Sequence, residues 1–260
     1  MSLSESGFRE PCNPILLNRR SLLLGFSATT LLNGVRPVQA YKGERMIKVA
    51  LIGDSIFDNG AYVAAGGEVI THLKHELGGK GDAILVARDG AVVADVPKQL
   101  SALPDDVTHL AVSVGGNDAL RNIDVLARPA RSIAEALSTV ADVRDDFLSA
   151  YAQMLDKVAE LGIPTILCTI YDVQLPDPAQ RRAANLALVV FNDSILREAS
   201  SRKLPVVDLR VIFDEPDDYA NAIEPSGRGA AKIASVINQI STEHEFRGSA
   251  SLYSKQGKRT

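Results

Sequence analysis

The sequence predicts a three-layer α/β/α sandwich built around a parallel β-sheet. Short apolar runs alternate with longer segments of helical periodicity, which is typical of strands joined by crossover helices. Three of the runs end in polar turns that contain glycine, and the first of these is the run that begins at Ile47 and ends in Gly53-Asp54-Ser55. Because open α/β sheets bind ligands at the carboxyl ends of their strands, these turns mark the expected site.

The strands are predicted from apolar runs that are too short for helices and nearly unbroken by polar residues. Five are expected, at 47–53, 82–87, 110–114, 165–170 and 206–209. Five parallel strands fit the flavodoxin-like order 2-1-3-4-5, in which the loops after the first and third strands flank the switch point. Ser55 and Asn117 are therefore expected to be neighbours.

The helices are predicted from apolar residues at three- and four-residue spacing together with capping signals. Gly78-Gly79 ends the first helix, Asp177-Pro178 begins a later one, and Ser226 can cap the last. The expected helices span 68–77, 93–103, a long stretch that ends at 161, a segment from 178, and 227–240. The loops at 172–177 and 214–219 are expected to shape specificity.

Composition narrows the class of protein. The 260 residues are 46% hydrophobic, which is enough for one domain, expected at 46–241 and followed by a polar tail at 244–260. The net charge of −4, with no basic stripe and few aromatic residues, argues against a nucleic-acid partner.

The first forty residues resemble an export signal. Asn18-Arg19-Arg20-Ser21-Leu22-Leu23 has the twin-arginine pattern, a moderately apolar segment follows, and Val38-Gln39-Ala40 is a plausible cleavage site. The signal predicts a periplasmic or extracellular product with no stable membrane anchor. The alternative is translation from Met46, directly before the first strand, which would give a cytoplasmic protein.

Neither cysteine suggests a disulfide or a metal site. Cys12 lies in the predicted signal and Cys168 lies in an apolar strand, so no intramolecular disulfide can form after cleavage. Cys168 is expected to be a small core residue.

The strand-end turns contain the groups that acyl transfer requires. Ser55 can be a nucleophile, and the backbone amides of Ser55 and Gly90 and the side-chain amide of Asn117 can donate to an oxyanion. Each residue also has a purely structural interpretation, with Ser55 as a helix cap, Gly90 as a left-handed turn residue and Asn117 as a turn former.

In chain order, Gly53-Asp54-Ser55, Gly90 and Gly115-Gly116-Asn117-Asp118 resemble the first three conserved blocks of the SGNH (GDSL-type) hydrolases. The resemblance covers nearly all of the region from Met46 to Ile240. It implies a flavodoxin-like sandwich that hydrolyses esters, thioesters or O-acetylated sugars by a Ser-His-Asp triad, and no cofactor is expected. By the same resemblance Ser55 would be the nucleophile, and Ser55, Gly90 and Asn117 would be the oxyanion donors.

The fourth block departs from the family pattern. The family has Asp-x-x-His before the last helix, whereas this chain reads Asn221-Ala222-Ile223-Glu224-Pro225-Ser226, with Glu224 in place of the histidine. The chain is similar here to a bacterial branch that reads Ile-Glu-Pro-Ser. His72, His75, His109 and His244 all fall too far from the predicted position of Ser55 to replace the missing base. Burial could raise the pKa of Glu224 toward neutrality and make it a base.

Three functions are compatible with these residues. The first is a serine ester hydrolase, either esterase- or lipase-like or a carbohydrate O-deacetylase, with Glu224 as its non-standard base and a small-molecule or carbohydrate ester as substrate. The second is a catalytically impaired binding protein for an acylated ligand. The third, ranked lower, is a metal-dependent hydrolase that uses Asp54, Asp58 and Asp118. The large α/β-hydrolase family is disfavoured because the chain lacks a Gly-x-Ser-x-Gly elbow.

Overall fold

A parallel sheet with helices on both faces forms the centre of the molecule. A computed structural model describes residues 46–254, so the predicted export signal and its cleavage site lie outside the described residues. The strands run in the order β2-β1-β3-β4-β5-β6, and every pairing is parallel. They are β1 (Ile47–Gly53), β2 (Gly81–Leu85), β3 (His109–Ser113), β4 (Thr165–Cys168), β5 (Val206–Val207) and β6 (Leu252–Tyr253).

The expected fold class and the order of the first five strands are confirmed, but the sheet has six strands where five were expected. β6 lies in the stretch that was interpreted as a polar tail, and it pairs with β5 through Val206–Leu252 and Val207–Tyr253. Two residues are too few to show an alternation of apolar and polar side chains, so the sequence gives no signal for this strand.

Seven helices of the described region pack around the sheet, and each of the five expected segments contains one of them. The side chain of Asp177 accepts a hydrogen bond from the N–H of Gln180, and that of Ser226 accepts one from Gly229, as expected for N-caps. The expected helix at 93–103 is shorter, a 3₁₀ turn followed by five residues of α-helix. The helices are α1 (Val69–Leu77), α2 (Val96–Leu100), α3 (Gly116–Arg121), α4 (Ile133–Glu160), α5 (Pro178–Arg202), α6 (Leu209–Ile212) and α7 (Gly227–Glu243).

Each face of the sheet has its own apolar core. One core packs α1 and α7 against the sheet, with Leu73 and Ile233 fully buried. The other packs α2, α4 and α5 against the opposite face, with Tyr151 and Ile195 fully buried. Cys168 is buried in the first core, as expected. Among residues 46–254, no helix has both the length and the apolar character needed to cross a membrane.

Candidate active site

A glycine turn at the end of β1 positions Ser55. Gly53 has φ +128, and a Cβ there would collide with the carbonyl oxygen of Ser113 on the neighbouring strand. The buried amide of Gln99 accepts from the N–H of Gly53 and donates to its carbonyl oxygen, both at 2.8 Å. Asp54 in turn donates its backbone N–H to the carbonyl of Ser113 at 3.1 Å. These bonds hold the backbone of the turn on both sides, and the turn places Ser55 at the carboxyl edge of the sheet.

Hydrogen bonds to the backbone of the loop before α7 position Glu224 in a similar way. The side-chain oxygen of Asn221 accepts from the backbone N–H groups of Ile223 at 2.9 Å and Glu224 at 3.0 Å, which closes an Asx-type turn. The hydroxyl of Tyr171, a residue only 2% exposed, donates to the carbonyl oxygen of Ile223 at 2.7 Å. Glu224 is thus carried on a turn that is tied to the end of β4.

Ser55 and Glu224 meet although 169 residues separate them in the chain. The Ser55 hydroxyl donates to Oε1 of Glu224 at 3.1 Å, and the two residues are 7% and 5% exposed. The other carboxylate oxygen, Oε2, is buried and has no hydrogen-bond partner among the described residues. A serine hydroxyl and a carboxylate in direct contact can exchange a proton, which is the contact that a base role for Glu224 requires.

The pKa values of two carboxyl groups are raised toward neutrality at this site. Burial raises the pKa of Glu224 to about 7, against the hydrogen bond from Ser55, and the negative charge of Asp89 adds to the rise. Burial also raises the pKa of Asp54 to about 8, with further contributions from the charges of Glu224 and Asp118, while the N–H of Ile56 opposes the rise. Both carboxyl groups therefore keep a proton to higher pH than an exposed carboxyl group would.

The predicted oxyanion donors are only partly brought together. Asn117, in the first turn of α3, lines the same cavity as Ser55 and Glu224. Its side-chain amide donates one hydrogen bond to the carbonyl of Ala91 at 3.0 Å, which fixes the amide and uses one of its two N–H groups. Gly90 has φ +76 and is exposed, and it does not line the cavity.

The acidic residues considered for a metal each bind the backbone. Asp54 accepts from Ile56 at 3.2 Å, Asp58 from Asp89 at 3.0 Å, and Asp118 from Val93 at 3.1 Å. Among residues 46–254, no group of three or more His, Cys, Asp or Glu side chains is arranged to hold a metal ion. Nor does a histidine of this region line the cavity that contains Ser55.

An apolar cavity extends from Ser55 between the helices on one face of the sheet. Its volume, counted as the space open to the centre of a water-sized sphere, is about 110 Å³. Its walls come mainly from α3, the 3₁₀ helix Ile123–Ala127, α4 and α5. Of the two loops expected to shape specificity, the one at 172–177 contributes Val173 and Leu175, and the one at 214–219 contributes no side chain to the lining.

Sequence reasoning missed three of the groups that position the site. Gln99 and Tyr171 act through hydrogen bonds to distant backbone groups, for which a single sequence has no signal. Asn221 could have been found, because Asn a few residues before a helix often closes a turn through its side chain.

The fold and site together define a class of protein: an α/β/α sandwich with a buried serine–carboxylate pair at the carboxyl edge of its sheet. The sequence profile of the GDSL-like lipase/acylhydrolase family matches residues 51–232, more than half of the chain. The chain belongs to this family.

Solved structures of similar fold include several ester hydrolases. An extracellular lipase from Streptomyces rimosus is 16% identical with a TM-score of 0.55, and the match covers 75% of this chain and 100% of that chain. A phospholipase A1 from Streptomyces albidoflavus is 17% identical with a TM-score of 0.54, covering 75% and 99%. The acetyl xylan esterase AlAXEase is 18% identical with a TM-score of 0.54, covering 74% and 98%. At these identities the likeness is one of fold. A search of curated proteins found no match.

Proposed function

We propose that this chain is a serine ester hydrolase in which Glu224 replaces histidine as the general base. The observation that carries the proposal is the 3.1 Å hydrogen bond from the Ser55 hydroxyl to a Glu224 carboxylate whose pKa burial raises to about 7. A carboxylate of ordinary acidity would be a poor base for a serine hydroxyl, and the raised pKa brings Glu224 close to the pH at which it must act.

In the first half of the proposed reaction the Ser55 oxygen attacks the ester carbonyl carbon as its proton passes to Oε1 of Glu224. The carbonyl oxygen becomes an oxyanion, which the backbone N–H of Ser55 and the second N–H of Asn117 stabilise. Collapse of this intermediate breaks the bond to the alcohol oxygen, which leaves with the proton that Glu224 holds. The product is an ester of Ser55 and a free alcohol.

In the second half water replaces the alcohol. Glu224, ionised again, takes a proton from a water molecule, whose oxygen attacks the carbonyl carbon of the acyl-serine. Collapse of the second intermediate returns the proton to the Ser55 oxygen and releases the acid. Oε2 of Glu224 is buried and has no hydrogen-bond partner within residues 46–254, so it is suited to accept the hydrogen bond of this water.

The acyl part of the substrate is proposed to lie in the apolar cavity. The cavity is lined by aliphatic side chains of α3, α4 and α5, which match an acyl chain of several carbons and offer little to a bare acetyl group or a sugar. We therefore favour esters of medium or longer acyl chains over carbohydrate acetates.

The experiment compares wild type with Ser55→Ala, Glu224→Gln and the double variant in hydrolysis of a soluble activated ester, together with labelling by a fluorophosphonate. Each single change should lower kcat by about a thousandfold or more, and the double variant should be scarcely slower than the worse single one. Ser101→Ala, an exposed serine at the end of α2, serves as the matched control.

Two results would contradict this assignment. Labelling at Ser55 with little loss of rate in Glu224→Gln would leave a serine enzyme with a different base. A folded wild type that is neither labelled nor active on esters of varied chain length would favour the binding-protein function, which fits a cavity whose lining within residues 46–254 includes no histidine. Activity should survive exhaustive chelation. Loss of activity on chelation, with restoration by a divalent cation, would instead favour a metal-dependent hydrolase that uses Asp54, Asp58 and Asp118.

The domain limits and location are proposed from the sequence. Residues 46–241 would be the hydrolase domain, and residues 1–40 would direct export and be removed. Changing Arg19 and Arg20 together to Lys should hold precursor in the cytoplasm. Efficient export of that variant would argue against the twin-arginine route, and a native product that begins at Met46 would exclude the signal.

A further inference from the structure

Glu224 lies in a short hairpin, residues 218–226, that leads into α7. The backbone N–H of Ala220 donates to the carbonyl oxygen of Glu224 at 2.9 Å, and the N–H of Ser226 donates to the carbonyl oxygen of Asp218 at 2.9 Å. An antiparallel bridge lies between these two bonds and completes the pairing of the two arms. We call Asp218 and Ser226 the base of the hairpin. Because the arms are paired, Glu224 takes its position from this base.

The side chain of Asp218 fixes the base from within the protein. It is fully buried, and its Oδ2 accepts hydrogen bonds from the backbone N–H of Glu215 at 3.0 Å and from Nζ of Lys232 at 2.5 Å. Nε of Arg228 lies 3.3 Å from Oδ1. A buried carboxylate needs opposite charge beside it, and the Arg228 side chain is 51% exposed whereas that of Lys232 is 26% exposed. The attraction between Lys232 and Asp218 is therefore the less screened of the two by solvent.

Lys232 also joins this carboxylate to the end of α6. Its Nζ donates to the carbonyl oxygen of Ile212 at 3.2 Å and to Oδ1 of Asp214 at 2.6 Å. Together with Asp218, these acceptors use all three N–H groups of the ammonium. One side chain of α7 thus holds the base of the hairpin, the end of α6 and the segment that follows α6 in a single arrangement.

The base of the hairpin has no room to shift toward α7. A Cβ on Gly229, in the first turn of α7, would collide with the carbonyl oxygen of Asp218. Neither Asp218 nor Lys232 lines the cavity that contains Ser55. Any effect of these two side chains on a reaction in the cavity would have to pass through the hairpin and Glu224.

We propose that Lys232 is a positioning residue for Glu224, and that it acts by holding Asp218 and with it the hairpin. The inference rests on the proposed function, because only a base that takes the Ser55 proton needs its carboxylate kept at 3.1 Å from the Ser55 hydroxyl. A misplacement of about 1 Å can lower the rate of an enzyme about a hundredfold, even when the substitution lies far from the reacting atoms. Loss of the Lys232 ammonium would release the base of the hairpin and produce such a misplacement.

The experiment measures hydrolysis of a soluble activated ester by the full chain and by Lys232→Met, which keeps an unbranched side chain and removes its charge. We expect kcat to fall about ten- to a hundredfold and KM to change less than about twofold, because the cavity is untouched. In a Glu224→Gln background, the same change should lower kcat less than about twofold, since the base that Lys232 positions is already absent. Lys232→Arg, which can bind both aspartates, should recover most of the loss.

Two further variants separate positioning from a general loss of structure, with circular dichroism as the check of folding. Lys48→Met is the matched control, because the Lys48 side chain is 22% exposed and binds Asp106 at 2.8 Å. Lys48 lies near the start of β1, at the opposite end of the strand from Ser55, so kcat should be that of wild type. Asp218→Asn/Lys232→Met leaves no carboxylate buried without its cation, so it should fold even where Lys232→Met does not. Its kcat should show the same fall, because the bond from the hairpin base to α7 is still missing.

A folded Lys232→Met or Asp218→Asn/Lys232→Met protein with the kcat of wild type would overturn the inference. So would an equal loss of kcat in the wild-type and Glu224→Gln backgrounds, because Lys232 would then act by another route. The result is separable from that of the proposed function. If Glu224→Gln is nearly inactive and Lys232→Met is not, the positioning role alone is refuted. If Glu224→Gln keeps its rate, the base itself is refuted, and the positioning role with it.

Discussion

The turns that carry Ser55 and Glu224 differ sharply from the segment that borders the cavity at 120–138. In the first region buried side chains such as Gln99 and Tyr171 bind the backbone, and both functional side chains are less than a tenth exposed. In the second, nearly every residue is exposed. The end of the site where bonds would break is preorganised, whereas the end that would hold the acyl chain is loosely packed.

This difference corresponds to two requirements of the proposed reaction, proton transfer and binding of the acyl chain, which the same cavity must meet. Proton transfer between Ser55 and Glu224 is sensitive to changes of about half an ångström in the distance between the two groups, so the residues that support them must be rigid. Accommodation of an acyl chain depends on burial of apolar area, which is not directional and tolerates movement. Substitutions in the two regions should therefore have different consequences.

The largest effect is expected at Gly53. Gly53→Ala would force a Cβ against the carbonyl of Ser113 at φ +128, so a cost of about 4 kcal/mol or more is expected, enough to prevent folding. Gly79→Ala is the matched control, because a Cβ there meets no atom within 4 Å. Urea unfolding followed by circular dichroism measures both, and a Gly53→Ala protein as stable as Gly79→Ala would refute the proposed rigidity of this turn.

The second effect is on the pH dependence of stability. Burial raises the pKa of Glu224 from 4.5 to about 7, so between these values the unfolded chain loses a proton that the folded chain keeps. The free energy of unfolding should therefore fall as pH rises from 4.5 to 7, and Asp54, raised from 3.8 to about 8, acts with the same sign.

Glu224→Gln removes the contribution of Glu224 to this loss of stability at high pH. The variant should be more stable than wild type by roughly 2 kcal/mol at pH 8, with the difference vanishing near pH 4. Thermal unfolding across this pH range measures it, with Glu76→Gln on the exposed side of α1 as the control. A difference of the same size at both ends of the range would mean that the charge of Glu224 is not its cause.

The third effect compares two buried tyrosines. Tyr171→Phe leaves the carbonyl of Ile223 without its partner, which should cost about 1–2 kcal/mol of stability and lower kcat more than it raises KM, because the Glu224 turn is loosened. Tyr151 is equally buried but its hydroxyl has no hydrogen-bond partner among the described residues, so Tyr151→Phe should be neutral or slightly stabilising. Equal kcat and KM values for the two variants would show that Tyr171 does not position Glu224.

The smallest effect on stability is expected at the cavity border. Leu126→Ser should change the free energy of unfolding by less than about 0.5 kcal/mol, since the side chain is 42% exposed. It should nevertheless reduce the kcat/KM ratio of octanoyl to butyryl esters about three- to tenfold, because it removes apolar surface from the cavity. An unchanged ratio would mean that the acyl chain lies elsewhere, and Leu161→Ser is the control.

Much of this architecture could be predicted because it depends on local signals. Apolar runs specified the first five strands, and the caps Asp177 and Ser226 placed two helices. β6 could not be predicted, since its two residues pair only because β5 leaves an open edge.

For the site, strand-end turns indicated Ser55 and Asn117 as neighbours, but the cavity is formed by helix faces that no motif marks. The contact with Glu224 depends on a loop whose conformation Asn221 and Tyr171 determine through side-chain bonds.

The hydrogen bond between Ser55 and Glu224 has a consequence for folding kinetics. It closes a loop of 169 residues that includes the central strands, so it can form only after β1, β3 and the loop before α7 have reached their places. During refolding, the reactivity of Ser55 toward a fluorophosphonate should therefore return later than helical circular dichroism. Labelling of Ser55 would then measure when the complete chain topology has formed.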